Sequence, residues 1–106
     1  MIRKFFGDGE RDFALPSKWI LELERTTASG FGELLHRLRG GTFRLADLTE
    51  TIRIAMIGGG ASPADADALV TTYVAAEGNA LIEAQILATD ILLDRYAGTG
   101  ATDEPA

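Results

Sequence analysis

Few residues of this 106-residue chain have the types and spacing that chemistry needs. Asp90 and Asp94 stand one helical turn apart, the separation at which two carboxylates share a helix face and can divide acid and base roles. Nothing in the sequence sets a substrate opposite them, and a solvated acidic face accounts for the pair. His36, the single histidine, sits between Leu35 and Arg37. With no second histidine and no cysteine, it lacks a partner for a metal site or a nucleophilic pair, and it reads as a surface residue. Gly58-Gly59-Gly60 ahead of a helix starting near Pro63 could cradle a phosphate at the positive end of the helix dipole. However, no lysine follows as in a Walker loop, no parallel strand precedes, and Asp65 and Asp67 would repel an anion. Asp65-Ala-Asp67 also lacks the later ligands and the glycine of a calcium loop. The expectation is a non-enzymatic protein with no metal and no cofactor.

The elements that hold these residues can be read in chain order. Arg3–Phe6 and Arg11–Leu15 flank Gly7-Asp-Gly-Glu10, which predicts a short β-hairpin with a glycine-rich turn. Two strands are not stable alone, so the hairpin must lie on helices. Pro16 stops the ladder and suits a helix start. Apolar residues at helical spacing then predict Ser17–Thr27, Phe31–Arg39, Leu45–Ile57, Pro63–Glu77 and Ala80–Ala97. The fourth start is written in capping chemistry: Ser62 as N-cap, Pro63 where its missing N–H costs nothing, and Asp65 three residues on. Gly58 to Gly60 are expected to close the third helix through left-handed conformations. Arg44 is a poor capping type for the start of that helix, with Phe43 able to staple onto Leu48. The fold class is mainly α: an N-terminal hairpin followed by a bundle of four to five helices, forming one domain over residues 1–97. Residues 98–106 have no apolar anchor and are expected to be a loose tail.

Composition agrees with a soluble globular domain, with 46% apolar and 25% charged residues. No run approaches the ~18 apolar residues of a membrane span, and the absence of cysteine fits a reducing cytoplasm. Charge is uneven. Residues 1–53 hold nine Lys/Arg and eight Asp/Glu, whereas residues 54–106 hold one basic residue, Arg95, against eight acids. A nucleic-acid binder needs the reverse, because phosphate contacts supply most of its affinity. The last helix is apolar in most directions, with Glu83, Asp90 and Asp94 confined to one narrow strip. A helix of that kind is either central to its own fold or contacts a partner.

The order of parts resembles the small tail assembly chaperone family of tailed phages and of gene transfer agents. The resemblance is carried by the hairpin ending in Phe13-Ala-Leu15 and by Ile20-Leu-Glu-Leu-Glu24, Gly30-Phe-Gly-Glu-Leu-Leu35 and Arg37-Leu-Arg-Gly40. It continues through Leu45-Ala-Asp47, Ile52-Arg53, Ile57-Gly-Gly-Gly60 and Ala64–Val70, and covers roughly residues 2–97. It implies a non-enzymatic factor that binds the tape measure protein, with the major tail tube protein as a further partner, while the tube is built in the bacterial cytoplasm. It also leaves open a tail component retained in the particle. No catalytic residue is carried over. The expected contact uses the last helix, through Leu87, Ile91, Leu93 and Tyr96, together with the turn at Gly58, Gly59 and Gly60; monomer and homo-oligomer are both compatible with it. Neither nucleic acid nor membrane is expected as a partner.

Overall fold

The computed structural model describes residues 1–98. Strands β1 (Ile2–Phe6) and β2 (Gly9–Phe13) pair antiparallel, with Ile2 opposite Phe13 and Phe6 opposite Gly9. The turn is therefore two residues, Gly7-Asp8, and the second strand begins earlier than the pattern suggested. Gly7 adopts φ 71°, the left-handed backbone that a tight hairpin matched to strand twist requires. Tyr73 packs directly on it, so that a Cβ at Gly7 would lie 2.7 Å from the ring. The register turns Phe6 and Phe13 inward, where they meet edge to face at 6.4 Å, with Tyr73 edge-on to Phe6 at 6.1 Å. Phe5, one residue out of phase, faces solvent.

Five helices follow: α1 (Ser17–Thr27), α2 (Phe31–Gly40), α3 (Leu45–Gly58), α4 (Pro63–Val70) and α5 (Leu81–Ala97). Helix α4 runs on into a wider π-type turn over Thr71–Ala75 and stops there, short of the expected Glu77. The centre of the fold is α3, which packs against α1, α4, α5 and β2. Leu48, Thr51, Ile52, Ile54, Ala55 and Met56 of α3 are all buried. Helix α5, apolar though it is, lies on α3 with one face and leaves the opposite face to solvent.

Helix ends are closed by both local and distant groups. Ser62 Oγ accepts from the Asp65 N–H at 3.1 Å, as the sequence predicts. The start of α2 has no such cap of its own; the Glu24 carboxylate of α1 accepts from the Phe31 N–H at 2.8 Å. At its other end, Gln85 of α5 donates to the Leu38 carbonyl at 2.8 Å. Helix α3 begins after Arg44, as expected, and the Asp47 carboxylate offsets that poor cap by accepting from the Arg44 N–H at 2.8 Å. Arg95 of α5 donates to the Leu15 carbonyl at 2.8 Å, which joins the end of the chain's last helix to the segment following the hairpin.

The glycine run behaves differently from its expectation. Only Gly60 has a positive φ, 117°. Gly58 and Gly59 are needed because the hairpin crosses them: added Cβ atoms would lie 2.1 Å from the Ala14 carbonyl oxygen and 2.2 Å from that of Asp12. One turn earlier, the Ala14 N–H donates to the Ala55 carbonyl at 3.0 Å. The hairpin is thus seated backbone-to-backbone on α3. Of the loose tail expected over 98–106, all but Gly98 lies outside the described residues.

Candidate protein-interaction site

The residues with chemical potential do not converge. His36 is exposed on α2, beside an open cleft of about 430 Å³ shared with Arg39 and Tyr96. Asp90 and Asp94 turn toward the hairpin: Lys4 Nζ is 3.9 Å from Asp90, and the amino group of Met1 is 3.1 Å from Asp94. Asp65 and Asp67 are exposed on α4. Among the described residues, no group of three His, Asp or Glu side chains is placed to hold a metal ion. No described helix is long and apolar enough to cross a membrane.

A charged cluster that periodicity does not reveal lies where α1, α2 and α3 meet. Asp47 is fully buried. Its carboxylate accepts from Arg37 Nε at 3.2 Å and Nη2 at 3.0 Å, from Arg44 Nη2 at 3.0 Å, and from the Arg44 N–H. The guanidinium groups reach further, Arg37 to Ser29 Oγ at 2.7 Å and Arg44 to the Thr27 carbonyl at 2.6 Å. Burial by itself pushes the Asp47 carboxyl upward. The hydrogen bonds from Arg37 and from the Arg44 backbone and side chain outweigh it, so the group sits below the usual aspartate range. Its oxygens are fully engaged by donors of its own chain, leaving no open position for a substrate, so the cluster is a clasp for three helices. The buried Thr51 hydroxyl, by contrast, finds no partner among the described residues.

The expected interaction residues divide. Leu87 and Ile91 lie in the buried stripe of α5 and are only 8% and 2% exposed; Ile91 offers no surface, while Leu87 only floors the recess beside Phe5. Their burial follows from helical phase, since the stripe Ala84, Leu87, Ala88, Ile91 and Leu92 is the one that lies on the core. Gly58 and Gly59 are likewise covered by the hairpin. Leu93 is half-buried and Tyr96 is exposed, on the far half of α5.

The outer face of α5 carries the apolar surface instead. Ile82 and Ile86 are 62% and 56% exposed, and with Leu93 they fall at steps of four and seven residues, which return to nearly one azimuth. Glu83 and Asp90 run beside this stripe on the hairpin side. Phe5, 67% exposed, adds to it across a shallow recess of about 200 Å³ lined by Lys4, Glu83, Ile86, Leu87 and Asp90. On the opposite side, a groove of about 340 Å³ separates the stripe from Leu38 and Arg39 of α2. Sequence periodicity singles out α5 as the over-apolar helix. The exposed phase could be found only by knowing that α3 is the neighbour.

A family model described as phage tail tube protein, GTA-gp10, matches residues 1–98. No curated protein and no solved structure matches the chain. The match spans both strands and all five helices, and the chain belongs to this family of phage tail proteins.

Proposed function

We propose that the chain is a non-enzymatic tail assembly chaperone that binds the tape measure protein while the tail tube is built, in the cytoplasm of the bacterial host. The observation that carries this reading is the exposed pair Ile82 and Ile86, continued by the half-buried Leu93 and by Phe5, on a chain of net charge −6. Contiguous apolar surface that the monomer leaves open is a mark of partner binding. Excess negative charge keeps the carrier, and whatever it shelters, in solution. Family membership supports a place in tail biology. The catalytic alternative has little support, because His36, the aspartates and the glycine run stand apart.

The family description favours a second reading, a tail component that stays in the particle. A tube subunit needs two complementary faces, one for each ring neighbour, whereas a chaperone needs one, and the α5 stripe supplies one. Two measurements decide. Co-expression with the tape measure protein should raise its soluble fraction and yield a co-purifying complex. Mass spectrometry of purified particles should find the chain absent or far below the tube subunit, and stoichiometric presence would overturn the chaperone reading in favour of the second.

A further inference from the structure

We propose that the outer face of α5 is a seat for an amphipathic helix of another protein whose apolar stripe carries lysine or arginine along one flank. The assignment rests on the reading of the chain as a binding protein, and specifies where and what it binds. The exposed Ile82 and Ile86 with the half-buried Leu93 span about 17 Å at 1.5 Å per residue, the length of three helical turns, which suits a helix lying along them. The two borders of the stripe differ in charge, acidic toward the hairpin and mixed toward α2, where Asp90 also lines the groove beside Arg39. On the hairpin side stand Glu83, which has no ionic partner among the described residues, and Asp90, reached only by Lys4 at 3.9 Å. On the α2 side stands Arg39, which also has no carboxylate partner among the described residues. A helix docking here meets two carboxylates along one edge, so basic residues on that flank gain attraction and acidic ones meet repulsion. The recess between Phe5 and Ile86 accepts a bulky side chain from the same helix.

A second copy of the chain fits less well. An antiparallel pairing of two α5 helices sets like flanks against each other, Glu83 and Asp90 against their own counterparts, between molecules that each carry −6. An anionic membrane surface would meet the same carboxylates.

The test uses the full chain and two fluorescent synthetic helices of about 20 residues. Both carry one leucine stripe; one has lysine along a flank, the other glutamate at the same positions. Fluorescence anisotropy at low salt should show the lysine helix binding about tenfold or more tighter, with the gap closing as salt rises. Reversing Glu83→Lys and Asp90→Lys together should reverse the preference. Ile82→Asp with Ile86→Asp should abolish binding while leaving the circular dichroism unchanged, since both side chains are exposed. Equal binding of the two helices, no binding of either, or binding untouched by the isoleucine changes would each overturn the proposal. So would a wild-type dimer in sedimentation that Ile86→Asp dissolves, because it gives the face to a second copy. The same variants in the tape measure co-expression separate this assignment from the functional reading. A client held equally by the wild type and the isoleucine variant refutes the surface and spares the chaperone reading. A client ignored by a chain that binds the lysine helix refutes the chaperone reading and spares the surface.

Discussion

Asp47 is the residue on which the packing of α1, α2 and α3 most depends. Its carboxyl is held below its usual range, so the folded state binds its proton more weakly than the unfolded chain does. The stability it contributes is complete above the unfolded value of about 3.9 and is lost as pH falls through the lower folded value. Asp47→Asn leaves Arg37 and Arg44 without their buried counter-charge and should cost about 3–5 kcal/mol in urea unfolding at pH 7, with a flatter dependence on acid than the wild type. Arg44→Ala should cost less than Arg37→Ala, because Arg44 is the more exposed partner. Thr51 predicts the opposite sign. Its buried hydroxyl is unpartnered, and an unmade hydrogen bond costs about 1–3 kcal/mol. Thr51→Val should therefore raise the melting temperature, and a fall would mean that the hydroxyl is satisfied in solution. Neither residue stands out in the sequence. Asp47 looks like an ordinary first-turn acid, because its main partner is ten residues away on another helix and spacing rules see only near neighbours.

The elements were far more legible. The capping pattern at Ser62-Pro63 and the glycine after α2 mark true boundaries, because those residues act within one turn of themselves. Illegible were the reasons that depend on a neighbour. Gly58 and Gly59 look like a helix stop, yet their missing side chains make room for Ala14 and Asp12 of the hairpin segment. Gly58→Ala should accordingly destabilise by about 1–3 kcal/mol or more, as forced overpacking does, because the obstructing atom is backbone. Gly32→Ala in the first turn of α2, where nothing lies within 4 Å of the added Cβ, should be neutral or stabilising by up to about 1 kcal/mol. Thermal unfolding of the two variants side by side checks both. The same logic applies to the expected interaction residues: the apolar content of α5 marks it out, but Leu87 and Ile91 fall in its buried stripe, a phase set by neighbours that spacing alone does not reveal.

For the molecule as a whole, the hairpin segment and α5 are tied together. Lys4 reaches Asp90, and Arg95 donates to the Leu15 carbonyl across 80 positions of sequence. Arg95→Ala removes a charge-assisted bond that contributes about 1.5–3 kcal/mol. Hydrogen exchange should speed up together in β1 and in the last turns of α5 rather than in α5 alone; an effect confined to the helix would show that the two do not open as one unit. Phe5 comes from the first strand and Ile82 and Ile86 from α5, so the apolar face reaches its full extent only when both are in place. A nascent chain still emerging from the ribosome lacks the cover over α3 and has no finished face to offer. A helix bound there, as proposed, should therefore loosen when proteolysis removes β1, although both isoleucines stay in place.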